Sequence, residues 1–202
     1  MSISPTLEHP PHPDPHGGIY SRTIFGFWLF LLSDFMLFGV LFATYAVLKN
    51  RVFGGPSAHM LFNLEAAFIQ TMILLIASFT IGLAAVSAHR KQTKTTIALF
   101  SLTFLFGLVF MGMEYNEFSR LISQGNSWEE SAFLSAFFTL VGTHGLHMIF
   151  ALLWIIVFIL PVCCFGLNAI SIRRLTCLKM FWQFLNIVWI FIFSFVYLMG
   201  VA

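Results

Sequence analysis

The fold class this sequence predicts is all-α, a polytopic bundle of five membrane-spanning helices. Three observations predict it: 59% of the 202 residues are hydrophobic, only 9% are charged, and the mean hydropathy is +0.91. A soluble globule leaves about half of its residues facing water, so apolar content this high needs lipid as its solvent. The 26 Phe, against 4 Tyr and 5 Trp, read as lipid-facing bulk. A net charge of +2 from 10 cations and 8 anions excludes nucleic-acid binding, which needs clustered Lys and Arg. Cys163, Cys164 and Cys177 form no CxxC pair, so neither a disulfide framework nor a thiolate zinc site is expected.

Taken in order, residues 1–23 hold five of the seven prolines together with His9, His12 and His16 and no apolar run. They are expected to be a flexible cytoplasmic tail, and 24–202 the membrane domain. A crossing needs about 20 apolar residues, and five stretches supply them. The first, 24–48, carries Asp34 as its one formal charge, and the second, 61–88, carries Glu65. The third is 96–114, the fourth 131–160 and the fifth 180–201. Pro161 is expected to end the fourth, because proline removes a helical hydrogen bond. Only eleven residues separate Pro161 from Arg173, too few for a further crossing. The runs are apolar on all sides and lack the alternation of a barrel strand, so they are helices.

Five crossings put the termini on opposite sides. Arg22, Arg90, Lys91, Lys94, Arg173, Arg174 and Lys179 fall on the side of the tail, and Lys49, Arg51 and Arg120 on the other. The excess of cations predicts a cytoplasmic N-terminus and a periplasmic C-terminus. Tyr20, Trp28 and Trp182 then mark the inner boundary, and Tyr45, Tyr115, Trp128 and Tyr197 the outer one. Ser78 and Gly82 offer a close helix contact.

An ionisable group at mid-bilayer costs at least about 2.5 kcal/mol, so each needs a partner or a purpose. Asp34 lies about 15 Å into its span; it is either a proton-handling or lipid-site carboxylate or a hydrogen-bonding acid that ties helices together. Glu114 and Glu117 read as headgroup-level charges at a helix end, and Glu65 as a first-turn carboxylate favoured by the helix dipole. His144 and His147 share one face of the fourth span. Bis-histidine haem needs imidazoles from both sides of the iron, and no second span supplies one. They are expected to be packed, hydrogen-bonded side chains, with Gly142 and Gly145 allowing close approach. Triads, phosphate loops and dinucleotide fingerprints are absent, so no catalytic or metal residue is expected in this chain and any chemistry falls to partner subunits.

Particular strings carry a resemblance. Gly142-Thr-His-Gly-Leu-His147 followed by Trp154, Phe25-Gly-Phe-Trp-Leu-Phe-Leu-Leu-Ser-Asp34, Met113-Glu-Tyr-Asn-Glu117, and Phe181-Trp-Gln-Phe-Leu-Asn-Ile-Val-Trp189 stand in the order seen in subunit III of the haem-copper terminal oxidases. The chain resembles the five-span form of that family, as in the cytochrome o ubiquinol oxidases. The resemblance implies a non-catalytic subunit of the bacterial inner membrane without a cofactor of its own. Haem and copper would sit in subunit I, with subunits I, II and IV and phospholipid as partners. It implies support for assembly, lipid binding and sustained proton uptake during quinol oxidation, oxygen reduction and proton pumping. Where the family has His and Asp in its last helix, this chain has Gln183 and Asn186. Amides keep donor and acceptor geometry but do not titrate, so these two are expected to form a structural hydrogen-bond node. Asn186 is a candidate partner for Asp34, and His147 is the other.

Three rival readings remain. The electron donor could be cytochrome c instead of quinol. A haem-binding quinone reductase anchor would show a pigment on this chain alone. A proton-coupled transporter using Asp34 would show flux in liposomes, although an odd span count without a broken helix pair argues against it.

Overall fold

The computed structural model describes residues 15–49 and 63–201; the expected tail residues 1–14 lie outside them. The chain is a multi-pass membrane protein with five helices long and apolar enough to cross a bilayer. They are α1 (Pro15–Leu48), α2 (Leu64–His89), α3 (Thr93–Ser123), α4 (Ala132–Phe165) and α5 (Ala169–Ile192). After Ile192 the last helix widens into a π-helical segment, Phe193–Leu198, and closes with a short turn α6, Met199–Val201.

Helices α1, α3, α4 and α5 run beyond the apolar stretches that announced them. Helix α1 starts at Pro15, inside the expected tail, with proline in the first turn where its missing N–H costs nothing. Helix α3 continues beyond Glu114 to Ser123, and α5 begins at Ala169, well before Met180. Hydropathy falls where the hydrocarbon core ends, whereas i to i−4 hydrogen bonding does not. Pro161 does not end α4 either: it sits inside the helix, which runs on to Phe165 and stops at Gly166. Gly166 has φ +71°, the left-handed region that glycine enters without a Cβ penalty. The other ends follow local chemistry. Side chains of Asn63, Ser131 and Asn168 cap α2, α4 and α5 by accepting from Ala66, Leu134 and Ser171 backbone N–H groups.

Lipid tails are as apolar as leucine, so helix association in a bilayer depends on close packing and hydrogen bonds. Helix α2 shows this with a stripe of Ala67, Ala77, Ala84 and Ala88, all fully buried. The Thr80 and Thr103 hydroxyls hydrogen-bond each other at 2.8 Å, tying α2 to α3. Gly107 lets three helices meet: a Cβ there would lie 2.6 Å from Leu152 Cδ2 and 3.0 Å from Trp182 Cη2. Gly82, expected to make a close contact, would meet nothing within 4 Å. Trp28, Tyr115 and Trp128 are exposed as a boundary belt requires, but Tyr45, Trp182 and Tyr197 are buried between helices. They are packing residues, contrary to expectation. The three cysteines are free, with Cys177 buried.

Candidate functional site

Two polar clusters sit inside the bundle. The first joins α1 to α4. Helical spacing puts Leu31, Asp34, Phe38 and Tyr45 on the one buried stripe of α1, and this stripe carries Asp34 to His147. The Asp34 Oδ2 to His147 Nε2 distance is 3.7 Å, and both side chains are largely buried. His147 Nδ1–H donates to the Thr143 carbonyl at 2.8 Å, so Nε2 is the ring nitrogen that faces Asp34. Asp34 Oδ2 has no hydrogen-bond partner among the described residues. Phe38 packs on the imidazole with centroids 5.3 Å apart.

The second cluster joins α2, α3, α4 and α5. His144 is fully buried and its Nε2–H donates to the Leu185 carbonyl at 3.2 Å. Its ring lies between Phe110 and Trp189, with centroids 5.8 and 5.1 Å away. Trp189 Nε1–H in turn donates to Thr71 Oγ1 at 3.1 Å, while the Thr71 hydroxyl donates to the Ala67 carbonyl. Glu114 and Glu117 belong to this region and are buried, with 4% and 7% exposure, so they are not the solvated helix-end charges expected. A Cβ on Gly145 would lie 2.9 Å from Glu114 Oε1, so that glycine makes room for the carboxyl. Glu117 pairs with Arg120 at 3.5 Å. Glu65 is exposed in the first turn of α2, where a carboxylate faces the positive end of the helix dipole.

The amide node expected at Gln183 and Asn186 does not form. Gln183 is exposed, and buried Asn186 leaves its Oδ1 without a hydrogen-bond partner; His147, not Asn186, is the group beside Asp34. The threonines that serve as glue, Thr71, Thr80 and Thr103, were missed. Their signal was hydroxyls recurring at helical spacing within apolar runs.

Among the described residues no three His, Cys, Asp or Glu side chains converge as a metal site would require. A cavity of about 650 Å³ forms a groove between α1 and α5, lined by Phe38, Gly39, Phe42, Ala43, Phe191 and Lys49 among others.

The model of the family described as cytochrome c oxidase subunit III matches residues 18–201. The chain belongs to this family. It is similar to the cytochrome bo(3) ubiquinol oxidase subunit 3 of Pseudomonas aeruginosa, with 49% identity over 94% of this chain and 89% of that protein. It is 43% identical to the protein of the same name in Buchnera aphidicola subsp. Baizongia pistaciae, over 91% of this chain and 95% of that one. The cytochrome c oxidase subunit 3 of Bacillus sp. strain PS3 is 40% identical over 96% and 94%. Membership of a subunit III family, with relatives named as subunit 3 of an oxidase, implies a multi-subunit oxidase complex.

Proposed function

We propose that this chain is the non-catalytic subunit III of a bacterial haem-copper ubiquinol oxidase of the cytochrome o type. The observation that carries the reading is nearly full-length similarity, at 49% identity, to a protein named as that subunit. In this reading haem and copper are held by subunit I. Its orientation puts the cation-rich ends in the cytoplasm and the C-terminus in the periplasm of the inner membrane.

In this role the two polar clusters hold the helices in register. The Asp34–His147 pair fastens α1 to α4, and the His144–Leu185 and Trp189–Thr71 bonds fasten α4 and α2 to α5. The α1–α5 groove takes an acyl chain of a phospholipid. Its walls are apolar and Lys49 stands at its outer end, where a phosphate would lie. Subunits I, II and IV cover the remaining apolar faces, and the scaffold sustains proton uptake by its neighbour.

A specific observation also favours a second reading, with cytochrome c as donor: the similarity to the Bacillus sp. protein. Purification in mild detergent through a tag on this chain tests both. Quinol oxidase activity, haem in a large companion and no copper-binding cysteine pair in subunit II are expected. A companion bearing that pair, with cytochrome c oxidation, supports the alternative, and recovery of the chain without pigmented companions overturns the proposal.

A further inference from the structure

A smaller cavity of about 360 Å³ opens at the end of the bundle where α1 begins. Its lining includes Thr23 and Phe27 of α1, Trp154 of α4, and Ile170, Arg173 and Arg174 of α5. The two arginines lie in the first turns of α5 and form no salt bridge or side-chain hydrogen bond among the described residues. Phe27 and Trp154 pack edge to face with centroids 5.8 Å apart. Trp154 is half-buried, and its indole N–H makes no hydrogen bond among the described residues.

The chain has 8 Asp and Glu residues. Six are described: Asp34 lies within a span, and Glu65, Glu114, Glu117, Glu129 and Glu130 belong to the opposite end of the bundle. The end that holds the cavity carries Arg22, Arg90, Lys91, Lys94, Arg173, Arg174 and Lys179 with no described carboxylate. The two remaining acids, Glu8 and Asp14, stand in residues 1–14, just ahead of α1, together with Pro5, Pro10, Pro11 and Pro13. Asp14 directly precedes Pro15 and is tied to the start of the helix, so Glu8 is the carboxylate with reach. Thr23 is eight residues into α1, about 12 Å from its start. Glu8 is seven residues ahead of Pro15 and Pro10 five, lengths of chain that extend up to about 25 Å and about 18 Å. Both cover the return to the cavity and the step of about 8–10 Å to a neighbouring helix.

We infer that the chain's own N-terminal arm, residues 1–14, docks on this cavity. The Glu8 carboxylate lies on Arg173 and Arg174, and Pro10 and Pro11 lie on Phe27 and Trp154. Guanidinium donors match two carboxylate oxygens at once. Proline-rich segments seat on aromatic walls at low entropic cost, because the ring has already fixed φ. They offer backbone carbonyls as acceptors, which suits the indole N–H of Trp154. The tether decides for the arm over an acidic segment of another chain, since a short linker gives it an effective concentration on the order of millimolar. The docked arm straps α1 to α4 and α5 at this end. Helix α1 has most need of it, with only 17% of its most apolar window buried. The inference rests on this chain's residues alone, so it survives failure of the oxidase assignment, which is tested by companion subunits and pigment.

The test is photo-cross-linking in the complex purified through this chain, with benzoylphenylalanine replacing His9, between Glu8 and Pro10. Peptide mass spectrometry after irradiation is expected to find the arm joined to Trp154 and to residues 170–174 of the same chain. Glu8→Gln and, separately, Arg173→Gln/Arg174→Gln should each lower that yield about fivefold, and salt at about 1 M should lower it without any substitution. Glu8→Arg combined with Arg173→Glu/Arg174→Glu should restore most of it, and Lys179→Gln should leave it unchanged. Cross-links that fall mainly on a companion subunit overturn the inference, by giving the arm another seat. Cross-links scattered without preference overturn it too, as does a yield that ignores Glu8→Gln. The cross-link map of the chain with its native Glu8, Arg173 and Arg174 decides by itself, so no variant need fold for the inference to fail.

Discussion

Helices α1 and α2 have the same mean hydropathy, 2.1, in their most apolar windows, yet 17% of that window is buried in α1 and 44% in α2. The difference lies in residue size and polarity. Helix α2 presents Ala67, Thr71, Ala77, Thr80, Ala84 and Ala88 to its neighbours, small side chains that bring backbones together and hydroxyls that bond. Helix α1 presents one stripe of large residues interrupted by Asp34, and its Gly39 would meet nothing within 4 Å if it carried a Cβ. In a bilayer, apolar bulk decides that a helix is inserted. Small and polar residues decide what it packs against.

This contrast can be broken first at its strongest point. Gly107→Val should cost about 1–3 kcal/mol or more by overpacking, seen as a large drop in thermal stability in detergent, because Leu152 and Trp182 occupy the space. Gly39→Val should leave stability unchanged and act only on lipid in the groove; equal effects at both glycines would remove the distinction. Next in size, Asp34→Leu should loosen α1 by about 1–2 kcal/mol, leaving the His147 ring nitrogen unpaired. Asp34→Asn should cost less, because an amide N–H can donate to that nitrogen. Limited proteolysis at the ends of α1 would read the order, and an equal loss in both variants would contradict a specific polar contact between Asp34 and His147. Trp189→Phe should cost about 0.6 kcal/mol, the usual value of an interhelical hydrogen bond, with Thr71→Val no worse when combined with it; additive losses would show that the two do not form one bond. Smallest is Lys49→Gln, expected to leave folding intact and lower phospholipid retention in the groove.

The five crossings were legible because a run of about 20 apolar residues has few alternatives. Helix ends were not: backbone hydrogen bonding continues past the hydrocarbon boundary in α3 and α5, and through Pro161 in α4, where no hydropathy signal marks it. Asp34 and the histidines stood out by their cost in lipid, and His147 was one of two candidate neighbours. The other, Asn186, was chosen from depth along the membrane, which says nothing about which way a helix is turned. The same missing rotation put Gln183 in an expected node when it faces outward, and gave Trp182 and Tyr197 boundary roles when they are buried. Glu114 and Glu117 were misjudged because their burial depends on α3 running on and on Gly145 in another helix standing aside. Neither is a local property.

The scaffold account is tested most directly by stripping this chain from the purified complex and following haem, copper and turnover. All haem and copper should stay with the remaining subunits, with initial turnover nearly intact and a faster decay of activity. Haem or copper leaving with this chain, or an immediate loss of turnover, would contradict it.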